Sequence, residues 1–309
     1  VFCCAMAQQK TLYVGMNGGD MERAFAQHVF PDFERANDVR IVVVPGTSTD
    51  VLARAISMGL CEPLTDDPVL KELYPTALMK GRMAAGIDVG MTGLGYNTRL
   101  FAERGWAPPA SWMDLADPKY KGGVVLQSAS SSTFGLHAFL MFNRIQGGGD
   151  RNLEPGFRQW PVSIGPNVRE YLPNSARLAE MIQADDAAVF PFTPAAVARL
   201  KRRGIPVEYA HPKEGAVILM VGECVVAKNS EPELAQKLAL YLLSAQAQAK
   251  ALEWAGNFPS NKNVRAPADN AEALKRFQGY MANAKIVDWD QINAARPAFN
   301  ARWNRMIER

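Results

Sequence analysis

The sequence predicts an α/β protein with two domains, and three observations lead to this prediction. Short apolar runs that end in turns rich in Gly, Ser or Thr are repeatedly followed by helix-like stretches. From about residue 231 to residue 309 the pattern is almost entirely helical. A chain of 309 residues is also long enough for two separate cores. Alternating strands and helices followed by a helical tail are typical of the α/β class.

The first two predicted strands are Thr11–Met16 and Arg40–Val44. The second is a continuous β-branched run, as expected for a parallel strand that is buried on both faces. A helix is predicted between them from about Asp20, and Pro31 should kink or split it. After the second strand a helix runs directly into Ile56–Leu60, with no strand between them.

Further elements follow at regular intervals. Gly86–Asn97 is Gly-rich and extended, and Ser130–Thr133 begin an amphipathic helix that ends at Gly147–Gly149. The pattern then predicts helices at Asn174–Ala184 and Ala195–Arg203, and strands at Ala187–Phe190, Val207–Ala210 and Val217–Ala227.

Composition excludes two classes of protein. The net charge of +3 gives no basic face of the density that nucleic-acid binding needs. No apolar run reaches the ~18 residues of a membrane span. We therefore expect no nucleic-acid partner and no membrane crossing within these residues.

The first seven residues are apolar and uncharged, and Ala5–Met6–Ala7 is typical of a signal-peptide cleavage site. We interpret residues 1–7 as a signal-peptide remnant, with Gln8 as the first mature residue. A short first strand, cloning residues, or a lipid anchor at Cys3 or Cys4 are alternatives. The interpretation predicts export to the periplasm.

Two cysteines remain after such cleavage, Cys61 and Cys224. A single distant pair is no disulfide framework. The pair can form one bridge in an oxidising compartment, but we expect two buried thiols, since free Cys behaves as a small apolar side chain.

No catalytic or metal-binding motif is present. His28, His137 and His211 are far apart and have no metal-ligand spacing, and we expect the first two to be packed or solvated helix residues. The chain has no G-x-S-x-G or H-E-x-x-H motif, and the glycines before Asp150 do not form a phosphate loop. We therefore predict a protein that is not an enzyme and that has no cofactor and no metal.

The sharpest polar cluster consists of Ser130, Ser131, Ser132 and Thr133 at a predicted helix start. Hydroxyls and free N–H groups at a helix N-terminus can hold a carboxylate or a phosphonate-like group. Plain N-capping by one serine is the alternative. One cap needs one hydroxyl, so the excess favours an anionic ligand.

Other strand ends supply further candidates. In α/β sheets ligands bind beyond the carboxyl ends of the strands, so we expect these turns to line one cavity between two lobes. The predicted ligand-binding residues outside the serine cluster are Asn17, Gly18, Gly19, Ser48, Phe192, Thr193 and Glu214.

Three segments resemble a known family. They are Met91–Thr98 (MTGLGYNT), Pro212–Gly215 (PKEG) and Ala255–Asn261 (AGNFPSN). With them the chain resembles bacterial extracellular solute-binding proteins of ABC transporters, in the branch of spermidine/putrescine-binding proteins with iron- and phosphonate-binding relatives. The resemblance implies a type 2 periplasmic-binding fold with two α/β lobes, a small-molecule ligand in the cleft, an ABC permease in the inner membrane as partner, and a monomer.

The resemblance also implies a division of the chain. Lobe 1 would comprise residues 8–92 plus 226–309, and lobe 2 residues 93–225. Two crossing segments would act as hinges, with hinge residues Thr92, Gly93, Gly95, Tyr96, Asn97, Glu223 and Cys224.

Two departures from the family pattern bear on the ligand and on the fold. The tryptophan that packs on polyamines is replaced by Val89, and few carboxylates lie near the turns. We therefore expect an anionic ligand, with a polyamine as the alternative and an enzyme or sensory module on the same fold as a further one. Relatives have a strand near Arg54–Ile56 that pairs with the first strand. Its loss would expose ladder groups, so we expect missing residues there rather than a true deletion.

Overall fold

A computed structural model describes residues 9–17, 20–46, 55, 58–173 and 177–308. The predicted signal remnant, Gly18, Gly19, Ser48 and the positions Arg54 and Ile56 of the predicted gap lie outside the described residues. Those predictions stay predictions.

Within the described residues the α-helices are α1 Asp20–Ala24, α2 Phe30–Asn37, α3 Val69–Glu72, α4 Thr98–Arg104, α5 Thr133–Ile145, α6 Glu154–Ser163, α7 Leu178–Gln183, α8 Pro194–Arg202, α9 Pro232–Leu242, α10 Ala245–Lys250, α11 Ala268–Met281 and α12 Trp289–Met306. The strands are β1 Lys10–Asn17, β2 Val39–Gly46, β3 Cys61–Glu62, β4 Ala85–Asn97, β5 Val124–Gln127, β6 Val168–Leu172, β7 Val189–Phe192, β8 Val207–Ala210, β9 Val217–Glu223 and β10 Val225–Val226. Two π-helical segments, Phe25–Val29 and Ala251–Ala255, complete the longer elements.

The chain divides into two compact units, and each contains helices and strands. Unit 1 is Val1–Val89 with Met220–Leu274, and unit 2 is Gly90–Leu219 with Lys275–Arg309. The predicted α/β class is confirmed. Among the described residues no helix has the length and apolarity of a membrane span.

Unit 1 contains a parallel pair of strands, β1 and β2. Their register runs from Lys10↔Val39 to Asn17↔Gly46. Among the described residues β1 pairs with β2 alone. The helical stripe predicted after β1 forms the core beside this pair, with Phe25, Val29 and Phe33 all buried.

The helix that contains Pro31 does not end at the proline, but a π-helical segment precedes it. The α-helix that begins at Asp20 passes into the π-helical segment Phe25–Val29, and α2 resumes at Phe30 with Pro31 in its first turn. Proline has no backbone N–H, so it is tolerated where a helical segment starts afresh.

Unit 2 contains the main sheet, whose strands lie in the order β6-β5-β7-β4-β8. β5 is parallel to β6 and to β7, whereas β4 is antiparallel to β7 and to β8. The strands β5, β7 and β8 therefore run in the same direction. Their carboxyl ends lie along one edge of the sheet, which we call the ligand edge.

The C-terminal segment differs from its predicted placement. The family resemblance implied that residues 226–309 belong to lobe 1, but Lys275–Arg309 belong to unit 2. The reason is the apolar face of α12: Trp303 is fully buried, and its ring lies 5.7 Å from Phe139 and 5.5 Å from Trp160. Burial of a large aromatic side chain such as Trp303 is favourable, and it stabilises the packing of α12 in unit 2.

The chain crosses between the units at three places. They are Val89/Gly90 within β4, Leu219/Met220 within β9, and Leu274/Lys275 within α11. The resemblance implied two crossings, and it placed them a few residues further along the chain.

The predicted hinge residues lie inside the units, not at these crossings. Gly93 pairs with Phe192 and Tyr96 with Val189, so this stretch is held in a ladder. Asn97 is buried and caps α4 by accepting hydrogen bonds from the backbone N–H groups of Arg99 and Leu100. Large dihedral changes at Gly93, Tyr96 or Asn97 would break these bonds. The hinge roles stay predictions.

The strand predicted at Val217–Ala227 is interrupted at Cys224. There the chain forms a disulfide with Cys61, with the two Cα atoms 5.8 Å apart. β10 pairs antiparallel with β3 beside the bond, in the register Val225↔Glu62. The expectation of two free thiols is therefore wrong: antiparallel pairing brings the two cysteines within bonding distance.

Candidate ligand-binding site

The polar turn that follows β5 lies at the ligand edge of unit 2. We call residues 128–133 the serine turn. It connects the end of β5 to the start of α5, so the helix N-terminus points toward the same edge. Unpaired N–H groups and the helix dipole make this end favourable for negative charge.

Two of the predicted hydroxyls are already engaged. The Ser132 hydroxyl donates to Gln127 Oε1 at 2.9 Å and accepts from the Phe134 backbone N–H at 3.3 Å, which makes Ser132 the N-cap of α5. The Ser131 hydroxyl donates to the carbonyl of Pro173 at 3.0 Å. These two groups fix the turn, as the capping alternative predicts for Ser132.

Ser130 and Thr133 remain able to donate. The hydroxyl oxygens of Ser128 and Ser130 lie 2.8 Å apart, and Ser128 also accepts from the Ser130 backbone N–H. If Ser128 donates within this pair, the Ser130 proton is free. Within the described part of the chain, the Thr133 hydroxyl and backbone N–H have no hydrogen-bond partner. Both side chains are half-buried.

Gly135 explains how closely α5 approaches the strand. A Cβ atom at this position would lie 1.9 Å from the Gln127 carbonyl oxygen and 2.9 Å from the Ala129 nitrogen. Only glycine permits this approach. The first turn of α5 is thereby held directly over the end of β5, and the serine turn has little freedom to move.

Phe192 is the last residue of the neighbouring strand, β7, and Thr193 follows it. The Phe192 ring is 5% exposed and packs edge-on against Phe134 at 5.4 Å between centroids. Thr193 is the N-cap of α8, and its hydroxyl accepts from the Ala196 backbone N–H at 3.2 Å. The structure therefore brings the serine turn and the Phe192–Thr193 turn together on neighbouring strands, as the strand-end rule predicted.

Tyr209 extends this surface across the sheet. A Cβ atom on Gly93 would lie 2.3 Å from the Tyr209 hydroxyl oxygen, so the ring passes directly over this glycine. Gly93 is also the ladder partner of Phe192. Phe190 covers Gly95 in the same way, which places Phe192 and Tyr209 on one face of the sheet.

Three further polar groups accompany Tyr209. Its hydroxyl lies 3.2 Å from His211 Nδ1, and His211 Nε2 lies 2.7 Å from Asn283 Oδ1. The Tyr280 ring stacks on His211 at 4.5 Å and lies 5.5 Å from the Tyr209 ring. We call Phe134, Phe192, Tyr209, His211 and Tyr280 the aromatic row.

Burial dominates the electrostatics of this row. It lowers the pKa of His211, while the hydrogen bond with Asn283 acts in the opposite direction. It also raises the pKa of Tyr209, so this phenol stays neutral. Within the described residues, no carboxylate hydrogen-bonds to a hydroxyl of the serine turn or to the His211 ring. The site offers donors and rings rather than negative charge.

Glu214 is engaged in hydrogen bonds with a neighbouring loop. Its carboxylate accepts from the Ser111 hydroxyl at 2.6 Å and from the Trp112 backbone N–H at 3.2 Å. The Trp112 indole donates to the Gly215 carbonyl beside it. The PKEG segment therefore anchors a neighbouring loop. The ligand-binding role of Glu214 stays a prediction.

The predicted residues of unit 1 are described only in part. Asn17 ends β1 opposite Gly46 of β2, and Gly18, Gly19 and Ser48 fall outside the described residues. In the same unit, burial raises the pKa of the Glu223 carboxyl well above its ordinary value. The ligand-binding roles in this unit stay predictions.

His28 and His137 lie in helical segments, as expected. His28 stacks on Trp254 at 4.0 Å, and the fully buried His137 has its Nδ1 2.8 Å from the Thr92 hydroxyl. Burial, with a smaller contribution from Arg296, lowers the pKa of His137 to about 3. Within the part of the chain that is described, no group of His, Cys, Asp and Glu side chains could hold a metal ion.

Sequence reasoning missed Phe134, Tyr209, His211, Tyr280 and Asn283. Phe134, Tyr209 and His211 could have been predicted from the sequence. Tyr209 and His211 lie at the end of a predicted strand, and Phe134 follows the serine turn. Tyr280 and Asn283 come from the end of α11, where no sequence pattern indicates the contact.

Comparison with known proteins agrees with this architecture. A model of the family described as bacterial extracellular solute-binding protein matches residues 35–278. An uncharacterised protein of Haemophilus influenzae is 26% identical over 207 residues, which are 66% of this chain and 58% of that protein. The matched stretch thus spans somewhat more than half of this relative.

Solved structures show the same fold. An ABC transporter protein from Clostridium perfringens has a TM-score of 0.77 at 19% identity, covering 96% of this chain and 99% of its own. The periplasmic binding protein AfuA of Actinobacillus pleuropneumoniae, with fructose-6-phosphate bound, has a TM-score of 0.74 at 18% identity, covering 97% and 98%.

Other structural neighbours are a ferric-ion-binding protein and a putative spermidine/putrescine transporter, so this likeness does not choose a ligand. The family match spans most of the chain, and the two α/β units agree with the fold of these neighbours. This chain belongs to the family of bacterial extracellular solute-binding proteins.

Proposed function

We propose that this protein is the solute-binding component of an ABC importer. It captures a small polar molecule that carries an anionic group and delivers it to a permease in the inner membrane. It acts as a binding protein rather than as an enzyme, as a monomer, in the periplasm. The observation that carries the proposal is the serine turn, which presents donors at the start of α5 with no described carboxylate bonded to its hydroxyls.

The ligand edge supports an anion for a physical reason. The Thr133 N–H and hydroxyl and the Ser130 hydroxyl can all donate, and the positive end of the α5 dipole lies beside them. A polyamine would instead need carboxylates, which the described part of this site does not supply. Beside the donors, the partly exposed rings of Phe134 and Tyr209 offer an apolar surface to the remainder of the solute.

The disulfide supports the proposed location. Structural disulfides persist in oxidising compartments such as the periplasm and are rare in the cytosol. Cys61 is 5% exposed, as expected for a structural rather than a reactive bond. Mass spectrometry of protein exported by its native host tests the location through the predicted N-terminus at Gln8.

The function is tested by a thermal-shift screen over sugar phosphates, phosphonates, carboxylates, amino acids and polyamines. A ligand present at about 100 times its Kd adds about 2.7 kcal/mol of stability. We expect anionic compounds to shift the melting temperature. Stabilisation by polyamines alone would replace the anion proposal, and turnover of a bound compound would point to the enzyme alternative.

The serine turn gives a more specific prediction. Thr133→Val keeps the shape of the side chain and removes its hydroxyl. We expect the binding free energy of the best anionic ligand to weaken by about 1.5–3 kcal/mol, because a hydrogen bond to a charged group is lost. The affinity then falls roughly 10- to 150-fold. Isothermal titration calorimetry measures the change.

The matched control is Ser244→Ala. Ser244 caps α10 in unit 1 through the Ala247 N–H, so its truncation removes a cap but no proposed ligand contact. It should lower stability by about 1 kcal/mol and leave the affinity unchanged. Equal losses of affinity in the two variants would show that the effect is structural.

A further inference from the structure

His211 lies at the ligand edge of unit 2 and has neutral side chains as its contacts. It follows β8, stacks on Tyr280, and is half-buried among neutral partners. The Tyr209 hydroxyl next to it lies over Gly93, the ladder partner of Phe192. This hydroxyl therefore lies on the same face of the sheet as Phe192, whose ring packs on Phe134 next to the serine turn.

The hydrogen bonds fix the tautomer of the free protein. Asn283 Nδ2 lies 3.4 Å from the Lys213 carbonyl and donates to it, which turns Asn283 Oδ1 toward His211. His211 Nε2 must then carry the proton that it donates to this oxygen. In the neutral ring Nδ1 is an acceptor, so the Tyr209 hydroxyl donates to it and has no proton left for a ligand.

Protonation of the ring reverses this last bond. A proton taken from solvent adds to Nδ1, which then donates to the Tyr209 oxygen. The Tyr209 O–H then no longer donates to His211. It can turn outward and donate to another group. The site thereby gains a positive charge and one donor, and both favour an anion.

We propose that His211 takes up a proton when an anionic ligand binds at the ligand edge, and that the imidazolium and the released Tyr209 hydroxyl stabilise the bound anion. This inference rests on the proposed function. Proton uptake on binding is possible for two reasons. Burial keeps the His211 ring neutral in the free protein, and the negative charge of a bound anion favours the charged form of the ring.

Other charges do not already hold His211 in one state. The charged side chains within four sequence positions of Tyr209, His211, Tyr280 or Asn283 are Glu208, Lys213, Glu214, Arg276 and Lys285. Glu208 pairs with Lys201, and Glu214 is bound by Ser111 and Trp112. The pKa of His211 responds to burial and to Asn283 rather than to these charges.

The sign of the pH dependence follows. The bound complex has the higher His211 pKa, so the affinity for an anion is greatest at low pH. It falls as the pH rises through the pKa of His211 in the complex, by up to about tenfold per pH unit. A site with fixed donors alone would show no such slope near neutral pH.

Sulfate is a suitable probe because it does not titrate near neutral pH. Calorimetry of sulfate binding in two buffers of different ionisation enthalpy, Tris and PIPES, reports the protons taken up. We expect roughly 0.5–1 proton per sulfate ion at pH 6.5 in the wild type. His211→Gln should abolish the uptake and weaken binding roughly 10- to 100-fold.

The chain has three histidines, which makes the control simple. His28→Gln changes the half-buried histidine of unit 1 and should retain the full uptake. His137 contributes nothing at this pH, because burial lowers its pKa to about 3. If His211→Gln does not fold, the imidazole NMR signals of the wild type give the same information, and the His211 signal should move to the imidazolium position when sulfate is added.

Each outcome separates the two proposals. Sulfate binding without proton uptake, or with uptake that survives His211→Gln, overturns this inference and leaves the anion site standing. Absence of sulfate binding contradicts both the anion site and the role of His211. Uptake that is lost in His211→Gln and kept in His28→Gln supports both.

Discussion

Removal of the Cys61–Cys224 disulfide is expected to lower the free energy of unfolding by about 3–5 kcal/mol. The bond closes a loop with a sequence separation of 163, so its loss releases a long segment of unfolded chain. The double variant Cys61→Ser, Cys224→Ser should melt roughly 10 °C below the wild type. Thermal unfolding followed by circular dichroism measures this shift.

Reductant provides the control for this prediction. Dithiothreitol should lower the melting temperature of the wild type and leave that of the double variant unchanged. Cys61 is nearly inaccessible, so the reductant should act more completely when it is added under partly denaturing conditions. A wild type that is fully reduced and equally stable would contradict a structural role for the bond.

Trp303→Ala should be strongly destabilising, with a loss of about 3–5 kcal/mol. Trp303 is fully buried, contacts the rings of Phe139 and Trp160, and donates from its indole to Glu308 Oε1 at 2.6 Å. Its truncation leaves a cavity among aromatic side chains that cannot collapse to fill it. Urea unfolding measures the loss.

Trp289→Ala is the matched control on the same helix. Trp289 is 36% exposed, so its truncation should cost much less. If the two variants are equally stable, α12 is not part of the core of unit 2, and the assignment of residues 275–309 to this unit is wrong.

The strand-end rule identifies part of the candidate site from the sequence alone. Ser130, Ser132, Phe192 and Thr193 are predictable because each follows an apolar run, and parallel strands bring their carboxyl ends to one edge. The rule cannot say which hydroxyl caps the helix and which stays free. That depends on Gln127 and Pro173, whose positions are set by tertiary contacts.

The remainder of the site depends on long-range packing. Tyr280 and Asn283 reach His211 from the end of α11, about 70 positions along the chain, and no periodicity reports such a contact. The disulfide was missed for the same reason, because the pairing of β3 with β10 is what aligns its two cysteines. The ladder around Gly93 was not predicted either, because the motif there was interpreted as a connector.

The order in which the chain is synthesised has a consequence for folding. Each unit is assembled from two separated stretches, and unit 2 receives Phe299 and Trp303 only near the end of the chain. Its aromatic core cannot close while α12 is still missing, so the earlier part of this unit has no complete native structure to adopt during translation.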